Sequence, residues 1–200
     1  MDILTQKFYN RDTVEVARDL LGKQLVRVLE DGTELACRIT ETEAYVGRID
    51  KACHAYNYRR TARTETLFAP PGTAYIYLIY GMYHCLNFVT EPEGEPCAVL
   101  IRGAVPVANR NIIAKNRFGC KQNEMSASQK RNFLNGPGKL CQGLALTRAQ
   151  NGLDLTAAGP LYVCGGPVPR RTFSGKRIGI DYAQEAVDFP WRFWAEEFEK

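Results

Sequence analysis

The chain has 200 residues, 45% of them hydrophobic and 24% charged, proportions that exclude collagen-like, low-complexity and wholly disordered chains. That length suits one domain over residues 1–200, and the net charge of +4 decides nothing about nucleic acid by itself. No run reaches the roughly 18 apolar residues of a membrane span, and residues 1–12 are too charged for a signal peptide, so a cytosolic chain is expected.

In chain order, Asp12-Thr-Val-Glu15 has the form of a capping box, and Val14, Ala17 and Leu21 follow at helical spacing before Gly22, which predicts a helix over 13–21. Residues 23–29 and a run from Glu34, separated by Glu30-Asp31-Gly32-Thr33, read as a hairpin, with Asp-Gly supplying the positive φ of a tight turn. In the second arm, period-2 alternation places Leu35, Cys37, Ile39, Glu41, Glu43 and Tyr45 on one face, so that an apolar surface runs into carboxylates. Residues 46–72 are too long and too polar for a connector and are predicted to form a functional surface loop. Strands are predicted at 73–80, 84–89 and 97–101, the last ending at Arg102. A helix at 106–116, a polar loop at 118–133 and a helix opened by Asn135-Gly136-Pro137-Gly138-Lys139 follow, then strands at 161–164 and 177–180.

The charge is lopsided. Between Arg102 and Lys139 stand eight basic residues and one acid, Glu124, whereas residues 181–200 hold six acids and two bases. Arg59, Arg60 and Arg63 add a second basic cluster. A glycine-flanked helix start carrying Lys139, next to the basic block, is read as a phosphate contact. The seven cysteines are odd in number, scattered and never spaced as CxxC, so they are read as reduced thiols. Cys53-His54 and His84-Cys85 do not make a metal site by spacing, and no P-loop, dinucleotide fingerprint or Ser-His-Asp elbow is present.

A carboxylate on a largely apolar strand face is desolvated, which raises its pKa toward the range useful for proton transfer. Glu43 is the leading candidate, and the pattern alone leaves Glu41 open. Tyr75, Tyr77, Tyr80 and Tyr83 put four of ten tyrosines within nine residues, a platform for stacking bases beside a basic groove.

The segments Glu41-Thr-Glu43-Ala-Tyr45-Val-Gly47, Cys53-His54, Arg59 to Arg63, the tyrosine-rich run from Pro71 to Tyr83, Cys85-Leu-Asn87 and Gly136-Pro-Gly-Lys139-Leu-Cys-Gln142 stand in the order and spacing of one family. Over about residues 8–195 the chain resembles the alkyladenine (3-methyladenine) DNA glycosylases. The resemblance implies a mixed α+β fold, a single domain with a curved antiparallel β-sheet surrounded by helices, acting as a monomer on double-stranded DNA containing damaged purines, with no metal and no cofactor. By position it implies Glu43 as the general base that activates water and Arg102 as its holder. Tyr45, His54, Tyr77 and Asn87 would form the pocket for a base turned out of the duplex, and Tyr80 would fill the gap left behind. Arg59, Thr61, Met82, Tyr83, Gly138 and Lys139 are the positions expected against the DNA backbone. Where the family usually has Gly-Gly, this chain has Asn57-Tyr58.

These expectations agree with the chemistry, because an enzyme acting on a base within a duplex must first extrude it. The expected reaction is hydrolysis of the N-glycosidic bond of alkylated purines, with deaminated purines in the same range, leaving an abasic site. The competing readings are an RNA-modifying or glycoside-cleaving enzyme using Glu41 and Glu43, and a non-catalytic single-strand-binding module built on the tyrosines and the basic block.

Overall fold

A computed structural model describes residues 2–198. Two short helices come first, α1 (Gln6–Tyr9) and α2 (Thr13–Asp19). The Asp12 side chain caps α2 by accepting from the amides of Val14 and Glu15 at 2.9 and 3.0 Å. The helix ends two residues before the predicted Leu21, because the chain turns through Gly22 at φ +88° into β1 (Gln24–Val28). The expected hairpin then leads to the long strand β2 (Glu34–Val46), and of its turn residues only Gly32 has a positive φ.

β3 (Ala74–Ile79), β4 (Tyr83–Thr90) and β5 (Cys97–Pro106) form an antiparallel meander, followed by α3 (Arg110–Phe118), α4 (Ala127–Arg131) and α5 (Pro137–Gly143). β6 (Leu161–Cys164), β7 (Pro169–Gly175) and β8 (Arg192–Phe198) complete an eight-stranded mixed-length sheet of order β3-β4-β5-β2-β1-β6, with β8 joined to β2 and β7 to β8. Every named strand pairing is antiparallel, the sheet does not close, and with five helices the fold is mixed α+β as expected.

Four features differ from the sequence reading. β5 runs on to Pro106, so Arg102 lies within the strand and the next helix starts four residues later than predicted, at Arg110. The polar stretch 118–133 contains α4, capped by Ser126. The β-branched run 177–180 is not a strand, because Gly179 turns it at φ +76°, and β7 and β8 were not anticipated. The fourth concerns β2. Its register against β5 slips between Ile39 and Thr42, a β-bulge that sets two consecutive residues on the same side.

That bulge decides where the site can be. Before it, Leu35, Cys37 and Ile39 point into the main core with Leu86, Phe88, Val99 and Ile101, under α2; after it, Ala44 takes the core side and the Thr42 hydroxyl donates to the Ala17 carbonyl at 2.7 Å. Glu43 and Tyr45 are thereby turned to the opposite face, against the expectation that all six alternating residues share one side. Without the extra residue, an ionised Glu43 would point among leucines, a placement that costs far more than the bulge.

Candidate active site

The face opposite the core presents residues in register. Antiparallel pairing aligns Tyr75 of β3 with Asn87 of β4, Asn87 with Leu100 of β5, and Leu100 with Glu43 of β2. One row across four strands thus runs from a tyrosine through an amide to a carboxylate, with neighbouring strands about 4.8 Å apart. The adjacent row places Tyr45 beside Ala98, and Tyr77 pairs with Cys85.

Residues 46–72, the expected functional loop, fold over this face through two 3-10 turns and pack Cys53, Ala55, Leu67 and Phe68 against Tyr75, Val89 and Ala98. Asn57 and Tyr58 adopt φ of +54° and +57°. Asparagine tolerates the left-handed region better than most residues, whereas Tyr58 holds it at a steric cost that a glycine would not carry. Tyr58 is held there by its hydroxyl, which donates to Glu95 at 2.9 Å.

Sheet, loop and the segment 178–182 enclose a cavity of about 580 Å³. Tyr45, Tyr75, Tyr77, His54 and Asn87 line it. The His54 ring meets the Tyr77 ring edge-on at 4.6 Å, and its Nδ1 lies 3.3 Å from the Tyr75 hydroxyl. Burial, then the nearby Arg63, pushes the His54 imidazole down to about 4, so it is neutral at pH 7. Asn87 is buried and its amide donates to the carbonyls of Tyr75 and Cys85 at 3.1 and 3.3 Å, which fixes it at the floor.

Glu43 is wholly buried behind this lining. Its Oε2 accepts from the Tyr45 hydroxyl at 2.7 Å and its Oε1 from the Ile178 amide at 2.9 Å, with the Arg102 Nε 3.4 Å from Oε1. Burial raises its pKa, and Arg102, the Tyr45 hydroxyl and the Ile178 amide offset part of the rise. Two hydrogen-bond donors, the Tyr45 hydroxyl and the Ile178 amide, fill two of the about four acceptor positions of a carboxylate, while the single Nε–H of Arg102 goes to Glu41, so Glu43 keeps acceptor capacity for a water. Glu41, the alternative, is exposed to more solvent and is tied to Arg102 at 3.1 Å and Arg192 at 2.6 Å. It serves to hold Arg102, which it bridges to β8.

At the cavity mouth the β3–β4 turn sets both Tyr80 and Gly81 at positive φ, +53° and +68°, with the Met82 amide reaching the Ile79 carbonyl. This is the geometry of a type I′ turn, in which a bulky first residue is strained. Tyr80 is 81% exposed and Met82 67%. Tyr83 lies against Gly138, where a Cβ would come to 3.1 Å from its ring, so any larger residue there would have to push Tyr83 aside by a few tenths of an ångström. Lys139 Nζ donates to Asn132 and Asn135 at 2.9 and 3.0 Å, neutral partners that leave its charge uncompensated. Arg59 and Thr61 are exposed on the loop, where the Thr61 and Thr64 hydroxyls lie 3.1 Å apart. Among the described residues no group of three or more His, Cys, Asp or Glu side chains is arranged to hold a metal ion.

The structure therefore brings Glu43, Arg102, Tyr45, His54, Tyr77 and Asn87 into one site, with Tyr80, Met82, Tyr83, Gly138 and Lys139 around its opening. Sequence reasoning missed Ile178 and the chain around it, because Arg-Ile-Gly-Ile alternates like a strand and a backbone amide has no side-chain signature.

The family model described as methylpurine-DNA glycosylase (MPG) matches residues 7–199. A protein of Clostridium perfringens (strain 13 / Type A) is 49% identical over 197 residues, covering 97% of this chain and 96% of its own. One of Methanocella arvoryzae is 50% identical over 194 residues (97% and 92%), and one of Alkaliphilus oremlandii 47% over 194 (97% and 96%). All three bear the name "Putative 3-methyladenine DNA glycosylase". With the match spanning the whole sheet, the aromatic cavity and the buried carboxylate behind it, the chain belongs to the methylpurine-DNA glycosylase family of DNA repair enzymes.

Proposed function

We propose that the chain hydrolyses the N-glycosidic bond of 3-methyladenine and related alkylated purines in duplex DNA. The observation that carries this reading is the fully buried Glu43, with acceptor capacity left after two hydrogen bonds, directly behind the wall of an aromatic cavity. Glu43 accepts a proton from a water whose oxygen attacks C1′. The electron pair of the C1′–N9 bond leaves with the base, and the abasic sugar remains in an intact strand. A purine alkylated at N3 or N7 is cationic, so it departs neutral and its expulsion needs little help. Electron-rich Tyr45 and Tyr77 and a neutral His54 favour such a cation. Arg102 anchors the carboxylate, and Asn87 reads the edge of the base at the floor. Tyr80 enters the stack in place of the extruded nucleotide, while Arg59, Thr61, Met82, Tyr83, Gly138 and Lys139 follow the backbone. No step calls for an amine nucleophile, so strand cleavage is not part of the reaction.

Incubation with a duplex carrying one 3-methyladenine, followed by alkali and a gel, reads base release directly. Glu43→Gln keeps size and polarity but accepts no proton, so excision should fall by about a hundredfold or more, the scale of general-base catalysis, while lesion-duplex binding stays near wild type. Turnover retained within a few-fold would remove Glu43 from the reaction. A protein that binds the duplex but never releases a base would instead be a binding module.

A further inference from the structure

Asp50 and Arg177 form the one ion pair among the described residues with both side chains at 0% exposure. Asp50 Oδ1 accepts from Arg177 Nη2 at 2.7 Å, and Arg177 also donates to the carbonyls of Ala44 and Ala186 at 2.8 and 3.2 Å. Its guanidinium lies over the rings of Tyr45 and Trp191, 4.6 and 5.2 Å from their centres. Asp50 in turn accepts from the Ala52 amide at 2.9 Å, so the pair ties the start of the pocket loop to the irregular segment after β7. A buried ion pair is a poor source of stability, because desolvation consumes much of its attraction. What this one does is local. Arg177 immediately precedes Ile178, whose amide holds one oxygen of Glu43, and it packs on Tyr45, whose hydroxyl holds the other.

We propose that Arg177, clamped by Asp50, is a positioning residue that sets Glu43 by fixing both the Ile178 amide and the Tyr45 ring against its carboxylate. The inference rests on Glu43 being the general base. The segment 176–181 has no helix or strand of its own and turns at Gly179; Ile180 anchors its far end among Ala52, Ala183 and Ala186, and Arg177 anchors the residue directly before the Ile178 amide. The groups facing Glu43 from other elements are Arg102 of β5, Cys85 of β4, Arg192 of β8 by way of Glu41, and the charge of Arg177 itself, which Arg177→Lys keeps.

The test is the pH profile of single-turnover excision from a 3-methyladenine duplex, measured for wild type, Arg177→Lys and the double variant Arg177→Met/Asp50→Asn. Lysine keeps the charge but cannot span Asp50, Ala44 and Ala186 together, and the double variant leaves no unpaired buried charge, which spares it the largest cost of breaking the pair. Thermal melts and undamaged-duplex binding check both. Losing one hydrogen bond to a charged group should slow excision about tenfold or more at neutral pH. In Arg177→Lys, which keeps the charge, the acid limb should move upward by about one pH unit because the carboxylate has lost a donor that favours its charged form; the double variant also loses the Arg177 charge that holds the Glu43 pKa down, so its limb should move at least as far. Affinity for an undamaged duplex, which does not depend on the pocket walled by Tyr45, should stay within about twofold. An acid limb that does not move in a folded variant overturns the proposal, as does a rate loss that follows melting temperature alone. Failure of the underlying reading is separately visible, since Glu43→Gln would then retain activity.

Discussion

At the scale of single residues, the site works by withholding water from groups that would otherwise be charged or exposed. His54 is the clearest case. Its folded pKa lies near 4 and its unfolded value near 6.5, so between these the unfolded chain binds more protons than the native one. The sign follows: the stability tied to a neutral His54 is complete above about pH 6.5 and is lost as pH falls toward about 4. Melting curves of wild type and His54→Gln should run parallel from pH 8 to 7 and diverge below, with the wild type falling faster. Equal losses down to pH 5 would show that the imbalance in protons belongs to another group. Glu43 titrates in the opposite sense, because its raised pKa makes the native state hold its proton more tightly, and the contribution cancels in the comparison since both proteins carry it. The same neutrality suits the reaction, as an imidazolium at the pocket wall would repel a cationic purine.

At the scale of elements, the hairpin β3–β4 and the bulge in β2 place Tyr80 and Glu43, the residues given the two halves of the proposed chemistry. A tyrosine at φ +53° on a turn tip spends stability on placing an 81% exposed ring where only another molecule can cover it. Tyr80→Ala should leave Glu43 and its water untouched while lowering the population of extruded base. Base stacking is worth about 1–3 kcal/mol by alanine substitution, which corresponds to a roughly five- to hundredfold loss of excision. The loss should shrink when the lesion faces a non-complementary base, because less pairing must be broken. Tyr80→Asn, better suited to that turn position, should melt higher and still excise poorly. If Tyr80→Ala loses the same factor on paired and mispaired duplexes, the wedge is Met82 or Tyr83 instead. The tyrosines of β3, the capped α2 and the hairpin into β2 were legible in the sequence because each depends on local spacing and turn chemistry. The side of β2 on which Glu43 stands was not, since a bulge shifts alternation by one residue and leaves no mark in Ile39-Thr-Glu-Thr42. Nor were β7, β8 and the role of the chain at Arg177 and Ile178, whose positions are set by β2 and Asp50 far away in sequence.

At the scale of the whole molecule, charge and cavity meet on one side. Arg110, Lys115, Arg117, Lys121, Lys130, Arg131 and Lys139 form no ion pair among the described residues, as is also true of cations such as Arg59, Arg63 and Arg170 elsewhere; what sets this stretch apart is seven such cations with a single acid, Glu124, among them. Arg117 and Lys139 reach the cavity itself, which joins the basic helices α3 to α5 to the opening where Tyr80 and Tyr83 project. Uncompensated cations on one face repel each other, and a polyanion that spans them relieves that repulsion while releasing its own condensed counterions. Binding to an undamaged duplex should therefore weaken steeply with salt, the logarithm of affinity falling linearly with the logarithm of salt by about 0.9 per phosphate engaged. Lys139→Ala should lower that slope by about one and weaken damaged and undamaged duplexes by the same factor, since a phosphate contact carries no information about the base. Glu43→Gln should leave the slope unchanged, because the carboxylate lies behind the pocket and away from the backbone. A flat salt dependence would remove the α3–α5 face as the DNA surface. A Lys139→Ala defect confined to damaged duplexes would move Lys139 from the backbone to the extruded nucleotide, which its place on the cavity wall also allows.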